Sequence, residues 1–406
     1  VNAILLLMGL LVLSYLGSFL VSGHSVRGAG LPSGVEYVAL GFVLGPHALD
    51  LVGADTLQAF EPVVQVALGW LAFAIGLDFG FAGDRRVRFG NLVLGTLGAL
   101  LTGGAVAAAV WFALRKLNAG GTPLERILIA GGTGAACSET TRQAVRWVVE
   151  RHNARGPLAD RLDEIAHADD LLPLLAVAVL FALEPGKNVA VPVPLRDWPA
   201  ITVAAGLILG AGAALLIRSE IKGDDMWGVL FGVSLIAIGT TARMLLSTLT
   251  ACFFMGIAVS LLSHHRRELR AMVGPTERPV LLPALLLAGA HLDFTHNPKL
   301  PWIAAAAFGA RAVAKVVSGW MLAIVSPAAR RAGGLVGLSF VSSGALAISI
   351  GLAFALRFPG PVGDTVLAVT AITATAGEFL GPARLRRALR AAGEVDAPAP
   401  DPGTAA

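Results

Sequence analysis

Asp169 and Asp170 stand side by side in "IAHADDLLPLL", and eleven of the twelve residues after them are apolar. A charge near the bilayer centre costs at least about 2.5 kcal/mol on insertion scales, so two adjacent carboxylates in such a setting require a cation, a proton or a water-filled cavity. Arg311 and Lys315, in "GARAVAKVVSGW", are cations in an equally apolar context. Polar residues gather in two further places. Cys137, Ser138, Glu139, Thr140, Thr141 and Arg142 interrupt the run "LIAGGTGAACSETTRQAVRWVV", and Ser339, Ser342, Ser343 and Gly344 fall within "GLSFVSSGALAISIGLAF". Carboxylate, hydroxyl and backbone-carbonyl oxygens are the ligands that hard cations prefer. Protons compete for the same carboxylate, so the chemistry open to these residues is exchange of one for the other without separate coupling machinery.

The elements that must carry these residues are membrane-spanning helices. Of the 406 residues, 55% are apolar and only 14% charged, where a soluble domain carries about 25% charged residues. The mean hydropathy is +0.73. The apolar residues fall in blocks of roughly 17 to 27, enough to cross about 30 Å of hydrocarbon at 1.5 Å per residue. Thirteen spans are expected, beginning near residues 3, 31, 57, 90, 124, 158, 198, 225, 246, 277, 300, 333 and 362. The first block, Ala3 to Val21, has no charged leader and is too long for a signal-peptide core, so it reads as a retained helix. Loop charges support an odd count, because Lys and Arg concentrate on the cytoplasmic side. With the N-terminus outside, 18 of them fall in inner loops, from Arg27 to Arg390, against 7 in outer loops, from Arg115 to Arg357. A twelve-span count scrambles that asymmetry. The expected orientation is N-terminus outside and C-terminus cytoplasmic.

Several classes are excluded on the same grounds. Cys137 and Cys252 lie in apolar segments, which argues against a disulfide framework. The net charge of +4 reflects loop arginines and implies no nucleic acid. The 48 glycines form no nucleotide-binding fingerprint and sit inside apolar spans, where small residues let helices approach closely. No cofactor is expected beyond the transported ions. Residues 1–390 read as one transmembrane domain, and 391–406, rich in Pro, Ala and Gly, as a disordered tail.

The fifth and twelfth spans look interrupted, the fifth where its apolar run stops at Gly131 to Gly134, and polar breaks at mid-depth are tolerated only where they are buried or line a cavity. The two lie seven spans apart, an offset that inverts orientation. This predicts two inverted repeats, about 1–183 and 225–390, joined by a linking helix at about 198–217, with the broken helices crossing. Counting from the inner surface, the Asp pair lies roughly 18 Å deep and Lys315 roughly 16 Å deep at helical rise. Opposite charges at matching depth predict that Lys315 neutralises one Asp and leaves the other free. Glu139 and Arg142, at i and i+3, are expected to pair locally. Asp163, His167 and Asp170 share a helix face, so His167 with Asp163 and Glu164 is read in two ways: as lining an inner funnel and tuning the pH response, or as ordinary capping and solvation of the helix's inner turn. Arg311 is expected to hold a helix end or to pair with Glu378 in the last span.

"LDEIAHADDLLPLLAVAV", the broken helix before it and "ARAVAKVVSG" resemble the monovalent cation/proton antiporters, most closely the second cation/proton antiporter family. "VALGFVLGPHAL", "LAFAIGLDF", "STLTACFFMGIAVSLL", "LLPALLLAGAHLDF" and "TATAGEFLGPARLRRAL" extend the resemblance over nearly the whole chain. It implies an all-α sodium/proton antiporter fold, a homodimer, and residence in a bacterial inner membrane. By the same resemblance, Asp170 is the carboxylate that takes Na⁺, K⁺ or a proton, and Asp169 is the acid that pairs with Lys315 in electrogenic members. The family's broken helix supplies a Thr and a Ser near the ion; here Cys137 stands at the Thr position, Ser138 is retained, and Thr140 follows as a further candidate ligand. Ser342 and Ser343 mark the second break.

Two other transporter readings compete. A sodium-coupled symporter of an organic anion uses similar broken helices, but with fewer spans and a larger polar cavity. A potassium efflux system is a variant of exchange that usually carries a regulatory domain. A membrane-embedded aspartyl protease needs its two Asp on separate helices, whereas neighbours on one helix point about 100° apart. The expectation is a transporter, not an enzyme.

Overall fold

A computed structural model of the chain describes residues 34–82, 85–184, 194–218, 224–295 and 297–395. The expected first span, Arg27, Lys187, Lys222 and residues 396–406 lie outside the described residues. From the second expected span onward, a helix stands wherever one is expected. The order is α1 (Val35–Leu44), α2 (Ala54–Asp78), α3 (Phe89–Lys116), α4 (Pro123–Ser138), α5 (Arg142–Arg151), α6 (Pro157–Ala168), α7 (Leu171–Ala182) and α8 (Trp198–Arg218). It continues with α9 (Asp224–Arg243), α10 (Thr248–Leu262), α11 (Arg266–Ala290), α12 (Leu300–Val325), α13 (Pro327–Ala332), a 3-10 turn at Val336–Phe340, α14 (Ala345–Arg357) and α15 (Pro361–Ala391). A small hairpin pairs β1 (Phe81–Ala82) with β2 (Arg85–Arg86), Phe81 opposite Arg86.

Among the described residues, seven helical segments are long and apolar enough to cross a bilayer, one of them running through α6 and α7 as Pro157–Ala182. α1, α10 and α14 are shorter apolar helices. Local chemistry sets several starts. α4 begins at Pro123 behind a capping box, in which the Glu125 amide donates to Thr122 Oγ1 at 3.3 Å and the Thr122 amide donates to Glu125 Oε2 at 3.1 Å.

The helices pack as two groups. α1, α2, α8, α9, α10 and α11 form one, and α3 to α7 with α12 to α15 form the other. Within the first group, glycines bring backbones together. A Cβ on Gly76 would lie 2.0 Å from the Phe253 carbonyl oxygen, and one on Gly256 would lie 2.3 Å from that of Phe73, so α2 and α10 touch only because both positions are glycine.

Residues 391–395, expected to open a disordered tail, are ordered against the second group. The Glu394 carboxylate accepts the Leu158 amide at 2.7 Å and the Ala159 amide at 2.8 Å. Free amides in the first turn of α6 attract a carboxylate from far along the chain, a pairing that tail composition does not reveal.

Candidate functional site

Two helix interruptions meet at the centre of the second group. α4 ends at Ser138 and α5 begins at Arg142, with Glu139 (φ −65°, ψ 148°) and Thr141 (φ −69°, ψ 119°) in extended conformation between them. The 3-10 turn ends at Phe340 and α14 begins at Ala345, leaving Val341 to Gly344 outside regular helix. The breaks bond to each other: the Thr141 amide donates to the Ser342 carbonyl at 3.2 Å, and the Gly344 amide donates to Glu139 Oε2 at 2.9 Å. Glu139 thereby places its carboxylate at the N-terminus of α14, where a negative charge is favoured. Gly344 must be small, since a Cβ there would meet Thr141 Oγ1 at 2.4 Å and Thr141 Cβ at 2.6 Å.

The glycines at 131, 132 and 134 do not break the helix. They lie within α4, with Gly132 against Phe354 and Gly134 against the Gly103 carbonyl, so they serve close packing. The interruption lies five residues beyond Gly134, within the polar cluster from Cys137 to Arg142.

Two cations on one face of α12 satisfy the carbonyls that these breaks expose. Arg311, fully buried, donates from Nη2 to the Glu139 carbonyl (2.7 Å) and the Ser342 carbonyl (3.2 Å), and from Nε to the Val341 carbonyl (3.1 Å). Four residues on, Lys315 Nζ donates to the Ser138 carbonyl at 3.2 Å and to Thr140 Oγ1 at 2.7 Å, and lies 3.7 Å from Asp169 Oδ2. Carbonyls at the C-terminal ends of half-helices carry partial negative charge, so cations belong there. Glu378 is buried on α15, next to Gly377, whose carbonyl is 3.5 Å from Ser342 Oγ. Ser343 is buried at the same break.

Asp169 (φ −86°, ψ −4°) and Asp170 (φ −71°, ψ −25°) stand at the junction of α6 and α7, inside the helical segment Pro157–Ala182. They face different spaces. Asp169, Lys315 and Thr140 line a small void of about 20 Å³, together with Gly95, Gly98 and Phe340. Asp170 lines a cavity of about 440 Å³ shared with Glu139, Thr141, Arg142 and Asp78, which continues past Gln143 and Arg146 to the exposed Glu150 and Arg278. That cavity runs between the two helix groups, with α2 and α11 on one wall and α5 and α14 on the other. Alternation of side chains along an extended strand explains the partition. Glu139 and Thr141 point one way from the break, and Thr140 points the other.

Only part of the expected ligand set lines the larger cavity. Among the residues lining the larger cavity, the α4–α5 break supplies Glu139 and Thr141 and not Cys137, Ser138 or Thr140. Cys137 Sγ lies 3.4 Å from Thr373 Oγ1, and Ser138 Oγ donates to the Ala135 carbonyl at 2.7 Å within its own helix.

The expected Glu139–Arg142 pair is replaced by other partners. Residues 139–141 are extended, so i,i+3 proximity does not apply. Arg142 Nε lies 3.6 Å from Asp170 Oδ2, and its Nη1 lies 3.7 Å from Asp78 Oδ2. Asp170 is therefore not left free, and Arg270 Nε holds the other Asp78 oxygen at 2.9 Å. Further toward the opening, Arg146 reaches Asp163 Oδ1 at 3.3 Å and His167 Nε2 at 3.0 Å, and His167 Nδ1 bonds the Asp163 carbonyl at 2.7 Å. Thr141 is legible in the sequence only as part of the polar break, and Asp78, Arg146, Arg270 and Glu277 are not assigned to the site there, although Asp78 stands in the quoted segment "LAFAIGLDF" as a lone charge after an apolar run.

A family model described as "Sodium/hydrogen exchanger, transmembrane" matches residues 12–383. The fold is similar to that of the sodium proton antiporter MjNhaP1 from Methanocaldococcus jannaschii at pH 8, with a TM-score of 0.71 and 16% identity over 97% of this chain and 99% of that one. An electron-microscopy structure of the same antiporter gives a TM-score of 0.68, with the same identity of 16% and coverage of 97% and 99%. No curated protein matches the sequence.

Proposed function

The chain belongs to the sodium/hydrogen exchanger family, and we propose that it exchanges Na⁺, with K⁺ as the second candidate, for protons by alternating access at Asp170. Family and fold make it an integral-membrane cation/proton antiporter; the ion, the ligands and the charge balance are the proposal. The observation that carries it is the partition of the acid pair: Asp170 opens on the cavity of about 440 Å³, while Asp169 is enclosed beside Lys315.

In this reading a cation sheds part of its water and is held by the Asp170 carboxylate, the Thr141 hydroxyl and remaining waters, a set of hard oxygen ligands. A proton on Asp170 removes the charge that holds the cation, so each excludes the other. Asp169 and Lys315 form the fixed partner, and a change in their protonation alongside Asp170 makes the charges moved unequal, hence electrogenic exchange. Arg311 keeps the two breaks in register around the site through the Glu139, Val341 and Ser342 carbonyls.

The moving parts are the two helix groups, because the cavity lies between them. Two inverted repeats, about 1–183 and 225–390 with a linking helix at about 198–217, account for two breaks that abut. The cavity ends at Glu150 and Arg278, near the basic loops around Arg151, Arg155 and Arg266, which favours a state open to the cytoplasm in an N-out, C-in orientation. A homodimer in a bacterial inner membrane follows from the family resemblance.

Electrical recording on solid-supported membranes, with Na⁺ and K⁺ jumps at fixed pH, tests this reading. A transient with Na⁺, its sign set by unequal charge movement, is the expected result. No transient with either ion, together with uptake of an organic anion, overturns it in favour of a symporter.

A further inference from the structure

Arg142 is a charged side chain on the transport cavity that no step above requires. Its guanidinium lies between two carboxylates from opposite helix groups: Asp170, at the junction of α6 and α7, at 3.6 Å, and Asp78, at the end of α2, at 3.7 Å. Both distances exceed the 2.7–2.9 Å of a tight charge-assisted hydrogen bond. Arg142 is thus shared between the acids and clamped by neither. Asp78, by contrast, already has a close partner in Arg270 Nε at 2.9 Å, which leaves its Oδ2 as the oxygen facing Arg142. The surrounding charges are Glu139 and Glu277, which line the same cavity, and Arg146 and Asp163, which are paired with each other at 3.3 Å. Gln143 donates to Glu277 Oε1 at 3.3 Å and holds that acid to one side.

We propose that Arg142 is a tethered cation that competes with the transported ion for Asp170, and that Asp78 is the carboxylate onto which it withdraws when an alkali-metal ion binds. The inference rests on the reading of Asp170 as the exchange site. A bound cation and the guanidinium cannot share one Asp170 oxygen, and repulsion between them drives Arg142 toward Asp78 Oδ2. The short path between two acids 3.6 and 3.7 Å away makes that shift a rotamer adjustment and leaves α5 in place. The consequence is specificity: only an ion that gains more from Asp170 than the guanidinium does will load, so Arg142 sets the apparent affinity without contributing a ligand.

The test is Na⁺-dependent exchange by the full chain in proteoliposomes, at one alkaline pH where proton competition is least, for wild type, Arg142→Gln, Asp78→Asn and Asp170→Asn. Arg142→Gln should lower the apparent KM for Na⁺ by about tenfold with little change in kcat, since a competitor is removed. Asp78→Asn should raise it by about tenfold, because Arg142 then has only Asp170 to occupy. A merely structural Arg142 raises KM or lowers kcat in both variants, and that result overturns the proposal. Should Arg142→Gln not fold, Asp78→Asn decides alone: an unchanged or lower KM overturns it. Asp170→Asn separates the two layers. Exchange that persists there removes the site assignment itself, whereas a dead Asp170→Asn with unmoved KM in the other two removes only the role of Arg142.

Discussion

Asp169 and Asp170 share a peptide bond but face different spaces, the first enclosed 3.7 Å from Lys315 Nζ and the second on the cavity between the helix groups. Two successive helical positions point about 100° apart, which at the α6–α7 junction is enough to separate a fixed acid from an accessible one.

The Asp169–Lys315 pair is therefore expected to behave as a buried unit in stability. Both side chains are almost wholly buried, and removing one member of such a pair costs about 3–5 kcal/mol because the other charge is stranded. Lys315→Met should lower the midpoint of thermal unfolding in detergent, and Asp169→Asn combined with Lys315→Met should recover much of the loss. Additive losses in the double variant contradict the pairing.

Arg311 makes a different prediction. Its planar fork reaches carbonyls on both breaks at once, a geometry that an ammonium cannot reproduce. Arg311→Lys should destabilise the protein nearly as much as Arg311→Ala, each lost charge-assisted bond costing about 1.5–3 kcal/mol. Thermal unfolding that leaves Arg311→Lys near wild type refutes that role.

The helical class, the places of the described helices and the presence of two interruptions were legible in the sequence, because apolar length and polar insertions are local properties. What the interruptions do was not. A polar run such as "CSETTR" does not announce that its middle is extended, and only in the extended form does Thr140 part company with Glu139 and Thr141. The pairing of Arg142 with Asp170 and Asp78 joins three distant segments and leaves no trace in spacing. Asp78 is the instructive omission, since a single acid closing an apolar run obeys the same cost argument that singled out Asp169 and Asp170.

Glycine positions separate packing from tolerance. A Cβ on Gly337 would lie 1.8 Å from the Lys315 carbonyl, whereas one on Gly104 meets nothing within 4 Å. Gly337→Ala should reduce folded yield and transport together. Gly104→Ala, inside α3, should be neutral or stabilise by about 0.5–1 kcal/mol. The pair of unfolding curves checks both, and equal effects count against the close approach of α12 to the second break.

The Glu394 contact ties the end of the chain to the helix that precedes the acid pair. Glu394→Ala should cost about 1 kcal/mol, as loss of a helix N-terminal cap does, and should speed amide exchange at Leu158 and Ala159. Unchanged protection at those two amides means that the contact contributes nothing.

Proton flux driven by an Na⁺ gradient in proteoliposomes, read with an internal pH dye for wild type and Asp170→Asn, bears most directly on the site. Wild type should acidify or alkalinise the lumen according to the sign of the gradient, and Asp170→Asn should fall to the level of protein-free vesicles while remaining folded by thermal unfolding. Exchange at the wild-type rate in Asp170→Asn would contradict the assignment of Asp170 as the carboxylate that carries cation and proton in turn.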